Sequence, residues 1–402
     1  MTGKLFDKLG CPVRRIVRDY YLSYLAVQVL PFQCMEQVCD ILLLIVGGNT
    51  NCYLAHSFNF VKRMYYEFCG ANSSQHIHRP FTNWHHPLQQ VSHEDADVHS
   101  AMLDAAGLRK EHLTFPIFAS DAQGRISAMP GMPLTPVREI ARRVQEVTDS
   151  GISSVILFGI SADRDARGSF AAHPAGIVQK AVREIKSAFG SSISIVSDVC
   201  VCQYNNTGHC GLLRGGRIDN DSTLEVLAEI AMSHAEAGAD VVAPSSMMDG
   251  QVQAIRTALE DAGLRPQVLS YSAKHASSLY APFRSAAFAR PKARIDKSSY
   301  QVSYANPRQV MMEVQTDIAE GADMVMIKPA LAYLDLVTMV KDRISVPVAV
   351  QNVSGEYAMI KAAAARGWIN EEEWKVKTLA SIKRAGADRI ISYFAMDIAK
   401  YL

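Results

Sequence analysis

Gly321-Ala322-Asp323-Met324-Val325-Met326-Ile327-Lys328-Pro329 reads as a helix end, a tight turn, a buried strand and an abrupt stop. Glycine supplies the left-handed backbone that closes a helix, and consecutive apolar residues suit a strand covered on both faces. The Gly-Ala-Asp triplet recurs at Gly238-Ala239-Asp240 and Gly386-Ala387-Asp388, each time between a helical stretch and an apolar run. Further runs of this kind start at Phe115-Pro116-Ile117-Phe118, Val155-Ile156-Leu157-Phe158, Ile193-Ser194-Ile195-Val196, Val268-Leu269-Ser270-Tyr271 and Val346-Pro347-Val348-Ala349-Val350. With Asp240-Val241-Val242-Ala243, Met324–Ile327 and Ile390-Ile391-Ser392-Tyr393 they make eight. Strands alternating with helices predict parallel pairing and right-handed crossovers. Eight units predict closure into a (β/α)8 TIM barrel, an α/β fold. An open doubly wound sheet is the alternative, and the lack of a GxGxxG or P-loop motif after the first run weighs against it.

The helices carry local signals. Thr135 is a candidate cap and Pro136 a candidate first residue for a helix with Val137, Ile140, Ala141, Val144 and Val147 on one face, ended by Gly151. Ser222 with Glu225 has the spacing of a capping box, and Asn306-Pro307 opens another helix. The barrel is expected over residues 111–402. Residues 76–110 read as an arm and residues 1–75 as an N-terminal extension of unassigned role.

The 402 residues carry Lys+Arg 41 against Asp+Glu 40, which argues against a polyanion such as nucleic acid as partner. The most apolar stretch, Tyr21 to Val46, is broken by Pro31, Glu36 and Asp40, so no membrane span is expected. Basic residues Lys4, Lys8, Arg14, Arg15 and Arg18 near the start are accompanied by Asp7 and Asp19, unlike a usual transit peptide. A cytoplasmic location is expected, with organelle targeting by the extension as the other reading. Of eight cysteines, Cys11, Cys34, Cys39, Cys52 and Cys69 lie early, while Cys200, Cys202 and Cys210 form a cluster. That is no disulfide framework, and it predicts a reduced compartment with one metal candidate.

In a barrel of this kind the chemistry sits where strands end. Asp198, Cys200, Ser245, Lys274, Lys328, Ser354 and Tyr393 all fall at or just after such ends. Lys328 follows an apolar run; desolvation there disfavours the ammonium form and makes an amine nucleophile. A lone lysine fits a structural ion pair equally well. Lys274 in Ser272-Ala273-Lys274 occupies the matching place, and two lysines at one mouth favour Schiff-base chemistry. Three cysteines in one loop suit zinc and leave a fourth position open for water or substrate. Buried thiols or a redox pair are the alternatives. His209 is read as a neighbour of Cys210 rather than a ligand, and Gly208, Gly211, Gly215 and Gly216 suggest a lid-like loop. Arg284 and Lys297 are candidate clamps for a substrate carboxylate, with Arg290, Lys292 and Arg294 a solvated basic stretch between them.

Several motifs together resemble the porphobilinogen synthase (5-aminolevulinate dehydratase) family over roughly residues 78 to 402. They are Asp198-Val199-Cys200-Val201-Cys202 with Gly208-His209-Cys210-Gly211, Ala243-Pro244-Ser245 with Met247-Met248-Asp249-Gly250, Ser270–Lys274, Pro282-Phe283-Arg284, Met326-Ile327-Lys328-Pro329 and Val353-Ser354-Gly355-Glu356-Tyr357. The resemblance implies a hydro-lyase that condenses two 5-aminolevulinate molecules to porphobilinogen with loss of two waters, in tetrapyrrole and haem biosynthesis. It implies that Lys328 is the principal Schiff-base lysine and Lys274 the second. By the same resemblance Asp198 and Ser245 hold the first substrate's amine, and Ser354 and Tyr393 its carboxylate. Arg284, Lys297 and Gln301 then take the carboxylate of the second. Cys200, Cys202 and Cys210 are implied to bind Zn2+ near the second substrate. The stretch His76 to Val91, with Trp84 and His85-His86-Pro87-Leu88, resembles the family's arm and implies a homo-octamer. Glu313 matches a position that helps bind an allosteric Mg2+ in some members.

Four departures stand out against that pattern. Ser246 stands where the family usually has Asp, Lys297 where Arg is commoner, Thr207 where His is usual, and Gln351-Asn352 where Tyr-Gln is usual. Both lysines and all three cysteines are kept. The competing readings are a Schiff-base aldolase, which leaves the cysteines unexplained, and a weakly active relative or assembly module.

Overall fold

The computed structural model describes residues 96–287 and 296–402. The extension, residues 76–95 of the arm, the five early cysteines and the stretch Arg290–Arg294 lie outside these residues. Eight parallel strands run in chain order: β1 Leu113–Ser120, β2 Ser154–Ile160, β3 Ser194–Val199, β4 Val241–Pro244, β5 Gln267–Lys274, β6 Met324–Lys328, β7 Val348–Asn352 and β8 Arg389–Ser392. Each pairs with the next, and β8 returns to β1 through Ile390 opposite Leu113, which closes the barrel. The strands are buried almost throughout, as apolar runs enclosed by helices should be. The open-sheet alternative is excluded.

Around them lie α1 Ala96–Ala105, α2 Ile140–Asp149, α3 Ile177–Phe189, α4 Asn220–Glu236, α5 Gln251–Asp261, α6 Ala281–Ala287, α7 Pro307–Ala319, α8 Leu334–Lys341, α9 Ser354–Ala364, α10 Glu371–Arg384 and α11 Ala395–Ala399. Two helix starts differ from expectation. Pro133–Pro136 pairs as a short strand with the end of β1, so Thr135 is held in a ladder and α2 begins only at Ile140. Its inward stripe of Ile140, Val144 and Val147 is as expected. The cap of α4 is Asp219, not Ser222: the Asp219 carboxylate accepts from the Ser222 N–H at 3.3 Å and its hydroxyl at 2.9 Å. Asn306 does cap α7, with Pro307 first in the helix.

The Gly-Ala-Asp repeat does more than end helices. Gly238, Gly321 and Gly386 have φ of 106°, 103° and 112°. The aspartate that follows brackets the neighbouring strand at the barrel's N-terminal rim. The Asp240 N–H donates to Ile195 O at 3.0 Å and its carboxylate accepts from Ile195 N–H at 2.8 Å. Asp323 does the same with Val268 and Asp388 with Val348. A cation from the helix before the bracketed strand completes each set: Lys186 at 2.8 Å, Arg256 at 2.6 Å and Lys341 at 2.7 Å. Those long side chains cross the glycines. A Cβ on Gly386 would lie 2.9 Å from Lys341 Cγ, and one on Gly238 3.2 Å from Lys186 Cγ.

Candidate active site

At the other rim Lys274 and Lys328 end adjacent strands and are register partners. An irregularity makes them so. Val325 pairs with Ser270, yet Ile327 pairs with Ala273, so β5 holds one residue more than β6 across this step. Such a bulge re-aims the side chains after it. Without it Lys328 would face Ala273; with it the two lysines stand side by side. Both are buried.

The Lys328 ammonium has apolar company. Its Nζ lies 5.0 Å from the Tyr271 ring centre, 5.3 Å from Tyr280 and 6.0 Å from both Phe158 and Phe283. Burial, then repulsion from Lys274, pull its pKa down to about 7, against a smaller opposing pull from Asp198. Lys274 Nζ donates to Ser245 O at 2.5 Å. The main chain at Lys328 is fixed from two sides. Its carbonyl accepts from His275 N–H at 2.9 Å and the Tyr280 hydroxyl at 3.1 Å. Buried Glu356 gathers the N–H groups of Ala330, Leu331 and Val353, which pins the turn after Lys328 to the start of α9.

Beside the lysines, the sulfurs of Cys200, Cys202 and Cys210 lie within 4.8 Å of one another, all buried. Lys297 Nζ lies 3.1 Å from Cys210 Sγ. Hydrogen bonds from the other two thiols hold the Cys210 thiol well below its usual range. Burial raises Cys200 to about 11, and bonding to Cys200 raises Cys202 further. Within the trio Cys210 gives up its proton most readily, and a soft cation completes the set by displacing the others. His209 turns away to the Tyr300 hydroxyl at 3.2 Å, as a neighbour rather than a ligand. Thr207 folds the loop: its hydroxyl donates to Asn205 Oδ1 and accepts from His209 N–H.

One cavity of about 40 Å3 gathers Lys274, Lys328, Arg284, Lys297, Gln301, Ser354, Tyr393, Cys202 and Cys210. Asp198, Ser245 and Cys200 do not line it: Ser245 is joined to Lys274 through its carbonyl, Asp198 to Gln203, and Cys200 lies against the other two thiols. Glu313 does not join them; it sits half-buried on α7, its carboxyl raised by burial and bonded to Gln309. Sequence reasoning missed Tyr280 and Phe283 as the roof over Lys328, and Gln203, whose amide donates to Asp198 Oδ2 at 2.9 Å. The PFR motif gave a signal for Phe283; Gln203 gave none.

Against known proteins, the family model for delta-aminolevulinic acid dehydratase matches residues 90–401. The chain belongs to the delta-aminolevulinic acid dehydratase family. The dehydratase of Synechocystis sp. is 47% identical over 314 residues, 76% of this chain and 95% of that one. The Methanothermobacter thermautotrophicus dehydratase is 48% identical over 297 residues, covering 72% and 90%. Among solved structures, the Toxoplasma gondii dehydratase in complex with its reaction product porphobilinogen superposes with a TM-score of 0.72 at 36% identity, over 73% of this chain and 86% of that one. The family match starts before α1 and takes in the whole barrel, so both lysines and the cysteine loop fall inside the dehydratase region.

Proposed function

We propose that this chain condenses two 5-aminolevulinate molecules to porphobilinogen and two waters. The observation that carries this reading is the pair of buried lysines side by side, with a three-thiol cluster beside them of which Cys202 and Cys210 line their cavity. The neutral Lys328 amine adds to the C4 ketone of the first substrate. A proton taken up by the carbinolamine hydroxyl lets it leave as water, and the nitrogen lone pair closes the C=N bond of an iminium. Lys274 holds the second substrate in the same way, so the two waters are those of the two dehydrations. Ring closure then makes one C–C bond and one C–N bond. The enamine carbon of one substrate attacks the iminium carbon of the other, whose lysine is eliminated as the amine. A substrate amine attacks the remaining iminium and expels the second lysine as the amine. Loss of ring protons completes the pyrrole. Asp198 and Ser245 hold the first substrate's ammonium group, and Ser354 and Tyr393 its carboxylate. Arg284, Lys297 and Gln301 take the second carboxylate.

The buried, thiol-only donor set fits Zn2+ better than a hard cation. Cys200, Cys202 and Cys210 would hold the ion, which supplies Lewis acidity near the second substrate. The arm resemblance at His76–Val91 supports a homo-octamer. The match at Glu313 supports a Mg2+ contact away from the cavity. Free thiols in the cluster suit a cytoplasmic setting. The test is pyrrole formation from 5-aminolevulinate, read with Ehrlich's reagent. Colour should develop with the zinc-loaded chain, vanish with a chelator and return with added zinc. No colour from the zinc-loaded chain contradicts the reaction; unchanged colour after complete metal removal contradicts the zinc.

A further inference from the structure

Lys274 owes its place to one extra residue in β5, and that residue has to be kept where it is. Side chains alternate along a strand, so residues three apart point to opposite faces. Tyr271 and Lys274 are three apart and share a face: Lys274 Nζ lies 5.7 Å from the Tyr271 ring centre, and Lys328 Nζ 5.0 Å from it. The bulge supplies the missing step, with Tyr271 and Ser272 together opposite Met326. A ladder interrupted in this way can slide by one residue, and such a slide turns every side chain beyond it to the other face. Lys274 would then turn away from Lys328.

Beyond the bulge the main chain does the fixing, where the His275 N–H donates to Lys328 O at 2.9 Å. Before it a side chain does. Ser270 is the last residue in regular register, paired with Val325, and it is fully buried. Its hydroxyl donates to Asp317 Oδ2, in the last turn of α7, at 2.6 Å. Asp317 therefore grips β5 from outside the barrel wall, on the face away from the lysines. Ser272, beyond Tyr271 on that face, brings its hydroxyl near enough to act on the carboxyl, outside hydrogen-bond geometry. Burial raises the Asp317 carboxyl to about 6 against the pull of both hydroxyls, and Glu320 and Glu313 add repulsion. The carboxyl is held there against its own desolvation, and the bond it makes goes to the strand at the edge of the bulge.

We infer that Asp317 is a positioning residue for the second Schiff base: through Ser270 it holds the β5 bulge in register, and the bulge holds Lys274 beside Lys328. This rests on the Schiff-base reading above. The test is borohydride reduction of the zinc-loaded full chain with 5-aminolevulinate, with adducts on Lys274 and Lys328 measured separately by peptide mass mapping, and kcat by pyrrole formation. Asp317→Leu keeps the bulk and removes the acceptor. Ser270→Ala removes the donor and leaves the carboxyl. Both should leave Lys328 labelling near the parent level, while the ratio of Lys274 to Lys328 adduct and kcat fall about tenfold or more. Asp317→Asn keeps an acceptor for the Ser270 hydroxyl and should restore the ratio. Asp388→Ala, which loosens β7 at the far rim, shows what lost stability alone does; it should lower Tm and leave the ratio unchanged. A parent-like ratio in Asp317→Leu and Ser270→Ala, or labelling of both lysines falling together, overturns the positioning role while the Schiff-base reading survives. A parent chain that labels neither lysine, or Lys328 alone, overturns the lysine pair on which both depend.

Discussion

Lys328 combines an aromatic enclosure with a cationic neighbour, and both act in one direction on its proton. The kcat/KM of the free enzyme should therefore climb as pH passes through about 7, where the Lys328 amine loses its charge. A profile flat from pH 6 to 8 contradicts this. The same shift bears on stability. The folded pKa lies below the unfolded value of 10.5, so between about 7 and 10.5 the unfolded chain binds more protons and stability rises with pH. Lys328→Met removes the buried charge; it should abolish turnover and raise Tm at neutral pH by a few degrees in a thermal melt. That Lys274, Lys328, Ser354 and Tyr393 meet at one cavity was legible because strand ends can be counted in sequence. Gln203 and Tyr280 were not, since they act through contacts that no spacing encodes.

At the scale of elements, continuous apolar runs made all eight strands readable. The helix starts at Ile140 and Asn220 were misread because pairing with β1 and an aspartate cap overrode simpler local signals. The bulge in β5 was invisible: an extra residue matters only relative to the strand beside it. The Gly-Ala-Asp repeat was seen as a helix stop, while its aspartate's role needed the neighbouring strand. That role is testable. Asp323→Ala should lower Tm by about 2–5 °C, through loss of a charge-assisted bond to Val268 N–H, and leave kcat intact. Gly386→Ala should cost at least as much, from both its φ and the Lys341 stem. At Asp388 burial works against the charged form, but Lys341 and the Val348 N–H outweigh it and depress the pKa. Its contribution is present above the unfolded carboxylate pKa and fades as pH falls through the lowered folded value.

For the molecule as a whole, the barrel puts its stability at one rim and its chemistry at the other. Ser278–Tyr280 and α6 carry the roof of the cavity, with Tyr280 and Phe283 over Lys328. Arg164 ties that roof to the cysteine loop, donating to Ala287 O and Asn205 O. Arg164→Ala should raise KM several-fold and speed hydrogen exchange in α6, with the Lys328 adduct still forming. Unchanged exchange in α6 contradicts that role.

The most direct measurement is borohydride reduction of the zinc-loaded chain with 5-aminolevulinate, followed by peptide mass mapping. The account predicts a substrate-dependent adduct on Lys328, with Lys274 labelled once a second substrate binds. An adduct found only on other lysines, or none at saturating substrate, contradicts it.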